Sequence, residues 1–310
     1  GGGRGRGRGR SAGAAGLGGG RGAGQQGAGL PDWLTTELMS PNYDMSNDHT
    51  PFELNHFALI VLVMRDHAVD AAVQKRMCTA LFNMTEMHDN TRDLAGVAGA
   101  ISAVTAAMIA HRRDAGLQYA ACQALEHITS VNVQNQTRAG SAGALDAAVA
   151  AMIEFPEDNL MQRKACRLLT SMIHGNVQNQ TFAGDAGAVE AVVAAMISHP
   201  LSVMMQREAC DVLKWITDRN EPNQTRAGNA GAFEATVAAM TAHLRDEALQ
   251  SKACLALVRI TVRNLSNRTR AVTAGAIEAV VATMIAHPRV LMSDEELFTK
   301  SCLALSTFTR

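Results

Sequence analysis

A repeat of 44 residues runs through the chain from about residue 52 and constrains the fold more than any other feature. The segment NQTRAGSAGALDAAVAAMI starts at Asn135, and close copies of it start at Asn179, Asn223 and Asn267. Methionines and cysteines mark the same step: Met64, Met108, Met152, Met196, Met240 and Met284, then Cys78, Cys122, Cys166, Cys210 and Cys254, with Cys302 four residues late. A repeat of this length indicates stacked supersecondary units that bury a continuous core between neighbours.

Each unit contains the patterns of three helices separated by turn residues. A short first helix covers NQTRAG, and glycines at 143, 187 and 231 mark the turn that follows. The second helix, ALDAAVAAMIEF in one copy, has apolar residues at helical spacing. It tends to end in a histidine, which favours the negative end of the helix dipole: His67, His111, His199, His243 and His287. The third helix is LMQRKACRLLTSMI and its equivalents, with the marker cysteine on its buried side.

The three helices, the short first one and the AGAL, AGAV or AGAI turn resemble the armadillo repeat family rather than the two-helix HEAT repeats. The resemblance implies an all-α fold, a right-handed α-solenoid whose third helices line a concave groove. It covers about six units, at 52–90, 91–134, 135–178, 179–222, 223–266 and 267–310. Because the last unit stops inside its third helix, we expect the chain to be a fragment of a larger protein.

Residues 1–51 differ in composition from the repeats. Residues 1–30 carry five arginines and no acidic residue, and this Gly/Arg-rich composition predicts a disordered tail. It resembles the RG-rich tails of RNA-associated proteins, so weak RNA binding by residues 1–30 and a linker without a role both stay open. Residues 31–51 are predicted to be a linker with a short capping helix over the first unit. Thr50 to Glu53 has the pattern of a capping box that starts the next helix.

Composition limits the class of protein. The chain has 28 basic and 29 acidic residues, and because the tail holds five of the basic ones, the rest carries a formal charge of −6. Such a body is not a general nucleic-acid binder. The longest apolar run, 57–64, is far shorter than the ~20 residues of a membrane span, and no secretory signal occurs. The cysteines lack the clustered spacing of a metal site. We therefore expect free, buried thiols, no membrane span and a cytoplasmic or nuclear location.

The groove positions implied by the armadillo resemblance are varied in this chain. In family members that bind extended peptides, an Asn on each third helix grips the peptide backbone and a Trp four residues earlier makes pockets. The Asn position holds Asn83, His127, Ser171, Trp215, Arg259 and Thr307, and the Trp position holds Thr79, Gln123, Arg167, Asp211, Leu255 and Leu303. Because only Asn83 matches, a regular Asn ladder for peptide binding is not expected.

Units that share nearly every other marker residue differ at these groove positions. Recognition of a partner explains this variation, and so does the drift of solvent-exposed positions. Trp215 favours a partner, since Trp and Arg are enriched in binding hot spots; packing against the next unit is the alternative. The predicted partner-binding groove comprises Asn83, His127, Arg167, Ser171, Asp211, Trp215 and Arg259.

Other motifs do not point to chemistry. No P-loop, HExxH or GxSxG pattern occurs, and the repeats offer no nucleophile positioned by other groups. The Asn-X-Thr triplets match a glycosylation pattern, but we interpret their asparagines as caps of the first helices. The sequence predicts a non-enzymatic scaffold or adaptor, without a cofactor, that binds a protein or peptide partner. The alternative is an RNA-associated adaptor that uses the RG-rich tail.

Overall fold

The computed structural model describes residues 53–86, 89–287 and 295–308, which form seventeen helices and no strand. The first helices are α3 (Asp89–Val97), α6 (Val133–Ser141), α9 (Val177–Asp185), α12 (Glu221–Asn229) and α15 (Leu265–Thr273). The second helices are α1 (Leu54–Asp66), α4 (Ala100–Ala110), α7 (Ala144–Glu154), α10 (Ala188–Ser198), α13 (Ala232–Ala242) and α16 (Ala276–Ala286). The third helices are α2 (Ala71–Glu86), α5 (Ala115–Thr129), α8 (Asn159–Ile173), α11 (Val203–Ile216), α14 (Glu247–Thr261) and α17 (Glu295–Phe308).

Helices of the same type stack on one another along the chain, so the units lie in successive layers. Met108 on α4 and Met152 on α7 are buried in adjacent layers, as the repeat predicts. Successive third helices contact each other more extensively than successive second helices do, so the third helices form the most closely packed layer of the solenoid. The predicted unit edges fall two residues inside each first helix. The expected tail and capping helix lie outside the described residues.

A glycine in the left-handed conformation separates each first helix from the second. Gly143 has φ 78° and Gly187 has φ 85°, values that L-residues with a side chain rarely adopt.

Three of these pairs of first and second helices have the combined length and composition of a membrane span, but they bend by 66°, 68° and 64° at the break. Within the described residues, no single helix is long and apolar enough to cross a membrane.

A ladder of buried asparagines joins each unit to the one before it. Asn179 Nδ2 donates to the Gln136 carbonyl at 2.8 Å and to the Met172 carbonyl at 3.0 Å, which lie on the first and third helices of the preceding unit. Asn135, Asn223 and Asn267 make the equivalent pairs of bonds. One side chain therefore ties three helices together, and burial keeps water from competing for these carbonyls.

The interpretation of the Asn-X-Thr asparagines as helix caps is wrong. The caps lie three residues earlier, where Asn132 Oδ1 accepts a hydrogen bond from the Asn135 N–H at 3.0 Å. Asn176, Asn220 and Asn264 do the same in later units. Each first helix starts before the triplet, so the triplet asparagine turns inward and is buried.

The capping box expected at Thr50 to Glu53 is found three residues later, since α1 starts at Leu54 and Glu53 forms the box with His56. Glu53 has extended backbone, with φ −103° and ψ 163°, and is itself the residue before α1. Its N–H donates to His56 Nδ1 at 3.0 Å, so the first turn is closed from within the helix. Thr50 lies outside the described residues.

Glutamines and histidines form two further ladders at the ends of the second helices. Gln162 Nε2 donates to the Met152 carbonyl at 2.7 Å and to the Phe155 carbonyl at 2.9 Å, where α7 ends. Four other third-helix glutamines repeat this pair of bonds: Gln74, Gln118, Gln206 and Gln250.

The predicted helix-terminal histidines are confirmed as C-caps. They also join the units, since His199 Nε2 lies 2.9 Å from the Pro156 carbonyl of the preceding unit. His111, His243 and His287 make the same contact one unit apart. Phe155 occupies this position in the third unit, so the ladder has one missing rung there.

The marker cysteines lie inside the stack of third helices. All six are free, five of them are buried, and Cys302 is half-buried, which confirms the expectation of unpaired thiols acting as small apolar residues. Burial raises the pKa of Cys78, Cys122 and Cys210 to about 12 and that of Cys254 to about 11. These thiols stay protonated at neutral pH and are poor nucleophiles.

Candidate functional site

The predicted groove residues share one setting, because each lies on a third helix beside fully buried neighbours. Asn83 is on α2, His127 on α5, Arg167 and Ser171 on α8, Asp211 and Trp215 on α11, and Arg259 on α14. Arg167 is exposed and the other six are half-buried. We call this half-exposed side of α2, α5, α8, α11 and α14 the third-helix face. Its role in binding stays a prediction.

Trp215 lines a pocket of about 330 Å³ between successive third helices, which we call the Trp215 pocket. The ring centroids of Trp215 and His174 lie 4.1 Å apart with planes tilted by 58°, and Lys214 Nζ lies 4.5 Å from the Trp215 centroid. The tryptophan also packs against the core. It therefore supports the neighbouring unit and presents its remaining edge to the pocket.

The charged groups of the Trp215 pocket are only partly paired. Arg167 donates from Nε to Glu126 Oε1 at 2.8 Å, and its Nη2 lies 2.5 Å from the same oxygen. Glu208 is half-buried, and in the part of the chain that the structure describes it has neither a hydrogen bond nor an ion pair. Burial raises the pKa of Glu208, although the Lys252 and Arg167 cations oppose that shift. Thr170 Oγ1 is buried there without a hydrogen-bond partner among the described residues.

Asp211 links two lysines on neighbouring units. Its Oδ1 accepts from Lys214 Nζ at 3.1 Å, and its Oδ2 is paired with Lys252 Nζ of α14. This pair borders an open pocket of about 810 Å³ that also contains the Arg207–Asp246 ion pair and Lys300. Five basic and three acidic side chains line it: Arg207, Lys214, Arg245, Lys252 and Lys300, with Asp211, Asp246 and Glu247.

Arg259 lies in a third pocket, where the third helix joins the loop to the next unit. Its Nη1 is 2.9 Å from Asp218 Oδ1, and 38% of its side chain stays exposed. The pocket has a volume of about 560 Å³ and we call it the edge pocket. It is lined by Asp218, Arg219, Glu221, Gln224, Arg259, Val262 and Arg263.

Asn83 and His127 lie apart from these pockets, near the first units. The His127 ring packs edge-on against Phe82 with centroids 4.6 Å apart, and its Nδ1 is buried without a hydrogen-bond partner in the described residues. Burial lowers the pKa of His127, so the ring favours its neutral form. Ser171 Oγ lies 2.8 Å from Thr129 Oγ1 of the preceding unit. The structure therefore brings Arg167, Ser171 and Trp215 into one pocket and leaves Asn83 outside it.

Several residues of these pockets were not predicted from the sequence. Glu126, His174 and Glu208 line the Trp215 pocket, and Lys214 Nζ lies over the Trp215 ring. The loop residue Val131 also lines the Trp215 pocket. No local motif marks these positions, and the residues 44 positions away from them are of other types.

This arrangement suits contact with a partner. Within the described residues, no group of three or more His, Cys, Asp or Glu side chains is placed to hold a metal ion. The third-helix face offers open, charged pockets that differ from one unit to the next. It can contact an extended ligand at several points.

The stacked three-helix units define an armadillo-like repeat solenoid, and solved structures confirm that class. The chain is similar to an engineered protein solved by the Northeast Structural Genomics Consortium, with a TM-score of 0.68 and 25% identity over 81% of this chain and 98% of that one. It is also similar to a designed armadillo repeat protein in complex with the peptide (KR)4, with a TM-score of 0.66 and 19% identity over 81% and 99% of the two chains. No protein-family model and no curated protein matches the sequence.

Proposed function

We propose that this protein is a non-enzymatic scaffold that binds an extended segment of a protein partner along the third-helix face. The observation that carries the proposal is the contrast between the two sides of the third helices. The buried side repeats Gln162 and Cys166 in unit after unit, whereas the face carries Ser171, Trp215 and Arg259 at one equivalent position. A face of this kind supplies different chemistry at each step along a bound segment.

The related designed armadillo protein supports the choice of a peptide-like partner, since that solenoid is in complex with the peptide (KR)4. The residues of this face differ from a regular Asn ladder, as only Asn83 keeps the asparagine. We therefore infer that side-chain contacts at the Trp215 pocket and its neighbours, rather than a uniform grip on the backbone, provide affinity and specificity.

A selection from a random-peptide display library tests this proposal with the full chain as bait. Peptides recovered on the wild type are measured by fluorescence anisotropy against the double variant Trp215→Ala with Arg259→Glu. We expect the double variant to bind them at least about tenfold more weakly, because truncation of hot-spot side chains commonly costs ~2 kcal/mol or more. Circular dichroism reports whether helical content is unchanged.

The matched control is Ile197→Ala with Ile285→Ala on second helices, where both side chains are largely exposed. This pair also removes large apolar side chains but leaves the third-helix face intact. We expect it to bind the recovered peptides like the wild type. Equal binding by the Trp215 and Arg259 double variant, or loss of binding in the control pair, contradicts the groove assignment.

A second function, RNA association through the arginine tail, is favoured by the five arginines and absent acids of residues 1–30. Under it, the solenoid would be an adaptor and the tail would contact phosphates. We expect deletion of residues 1–30 to remove salt-sensitive binding of a labelled uridine oligonucleotide. Retention of that binding after the deletion, or no binding by the full chain, rejects this function. A cytoplasmic or nuclear location remains part of the proposal.

A further inference from the structure

The loops between third helices and the following first helices hold a left-handed residue at the same step of 44. These residues are Val131 (φ 53°), Gly175 (φ 72°), Arg219 (φ 56°) and Arg263 (φ 61°). Glycine adopts this conformation readily, whereas other residues incur ~1–2 kcal/mol. Val131 lines the Trp215 pocket, and Arg219 and Arg263 line the edge pocket. The loop position therefore adds side chains to the border of the third-helix face.

The basic charge of the edge pocket comes from two neighbouring units. Arg219 and Arg263 are exposed, and among the described residues neither makes an ion pair. Arg259 is paired with Asp218, but more than a third of its side chain remains exposed. Glu221 is the other carboxylate of the lining. Three guanidinium groups therefore face two carboxylates, with two guanidinium groups unpaired.

We propose that the edge pocket binds oxyanions, either carboxylates or phosphates, on an acidic segment of the protein partner. Guanidinium groups form charge-assisted and often bidentate hydrogen bonds with both anions. At about 560 Å³ the pocket accommodates one or two acidic side chains. This inference rests on the proposed function only in taking the ligand to be a segment of a protein. The residues of the edge pocket lie outside the Trp215 pocket.

The next basic cluster along the face supports an acidic segment rather than a single anion. The pocket that contains Asp211 is lined by five basic and three acidic side chains, so it is also net positive. The Trp215 pocket has the opposite balance, because Glu126 and Glu208 face Arg167. Acidic residues of a bound segment would therefore be favoured on α14 and the loops around it, and disfavoured beside Glu208.

A nucleic acid fits the site less well than an acidic peptide. The chain outside residues 1–30 carries a formal charge of −6, which repels a long polyanion more strongly than a short acidic segment. Single-stranded nucleic acids also need aromatic platforms for their bases, and aromatic residues make up 4% of the chain. Neither Phe, Tyr nor Trp lines the edge pocket.

Fluorescence anisotropy with a labelled peptide GSEEDEEGS tests the proposal on the full chain. A version with two phosphoserines, the basic peptide (KR)4 and a uridine oligonucleotide are the other probes. The variant is Arg219→Gly with Arg263→Gly, which removes both guanidinium groups at positions where glycine relaxes the backbone, as Gly175 already does. We expect about tenfold weaker binding of the acidic peptide, since two exposed ion pairs are lost. The five tail arginines are present in every protein compared.

The matched control is Arg112→Ala with Arg113→Ala, which removes two exposed guanidinium groups from the turn after α4 and leaves the third-helix face intact, and we expect unchanged acidic-peptide binding. A larger loss for the phosphoserine peptide identifies phosphate as the preferred oxyanion, and an equal loss identifies carboxylate as sufficient. Failure of both acidic peptides to bind the wild type, or equal binding by the double glycine variant, overturns the proposal. So does loss of oligonucleotide binding alone. Display-selected peptides that need Trp215 but not Arg219 or Arg263 overturn this inference and leave the proposed function standing.

Discussion

The buried residues that join one unit to the next, which we call the frame, and the third-helix face differ in how they vary along the chain. Asn179 and Asn223 occupy equivalent positions in the frame and make the same two hydrogen bonds. Ser171 and Trp215 occupy equivalent positions on the face and contact different partners. A residue that contacts an identical neighbouring unit meets the same environment at every step, so one side chain serves throughout. A residue on the face meets a different neighbour at each step, as Ser171 and Trp215 do, so its identity varies from unit to unit.

The largest difference in the free energy of unfolding is expected between an asparagine of the frame and an asparagine on the third-helix face. Asn223→Ala leaves the Gln180 and Ile216 carbonyls buried without their donor, and we expect a loss of about 2–4 kcal/mol in the free energy of unfolding. Asn83→Ala, the control on the third-helix face, should change it by less than about 0.5 kcal/mol. Urea unfolding followed by circular dichroism measures both. Equal destabilisation by the two substitutions would remove the distinction between frame and face.

Relief of backbone strain at the left-handed loop position should raise the stability of the protein. Val131→Gly is expected to stabilise the protein by about 1 kcal/mol, because a β-branched residue at φ 53° is strained. Gly175→Val introduces the same strain at φ 72° and should destabilise by a similar amount. Shifts of both midpoints in the same direction in thermal unfolding would contradict the assigned conformation.

The missing rung of the histidine ladder can be restored. His199 contacts the Pro156 carbonyl of the preceding unit. Phe155→His places an imidazole at the equivalent position one unit earlier, and we expect a gain of about 0.5–1 kcal/mol in the free energy of unfolding. His199→Phe should remove a comparable amount. If unfolding midpoints show no gain for Phe155→His while His199→Phe is destabilising, then the Phe155 side chain contributes as much as the hydrogen bond.

Glu208 should make a small, pH-dependent contribution. Because burial raises its pKa in the folded protein, its stabilising contribution is present below the ordinary value of 4.5 and is lost as the pH rises through the raised pKa. Glu208→Gln removes the buried charge, so the variant should be more stable than the wild type at pH 7. The two should converge as the pH falls below the ordinary value. The exposed Glu190→Gln is the control in thermal unfolding across pH. A variant less stable at pH 7 would indicate a favourable partner for the Glu208 carboxylate.

The repeat made the architecture predictable because its markers stay in register over 44 residues. The turn glycines, the terminal histidines and the free cysteines could be placed from local spacing alone. The role of Asn179 could not, since its partner Gln136 belongs to another unit and an Asn-X-Thr triplet also suits a cap. The left-handed loop position could not be predicted from the sequence. Its four residues share a backbone conformation but not a residue type: Val131, Gly175, Arg219 and Arg263.

The pockets were harder to predict than the fold. Trp215 and Arg167 followed from the armadillo register, but Glu208 and His174 reach the same pocket only through the packing of α8 against α11. Lys214 contacts both Trp215 and Asp211 within one helix turn, a geometry that the sequence permits without specifying.

Hydrogen–deuterium exchange of the full chain, with and without a display-selected peptide, tests the central claim most directly. The account predicts slower exchange on peptide binding in α8, α11 and α14 and in the loops that contain Arg219 and Arg263. Exchange in the second helices α7, α10 and α13 should be unchanged. Protection confined to those second helices, or a peptide that binds without protecting any third helix, would contradict the claim that the third-helix face recognises the partner.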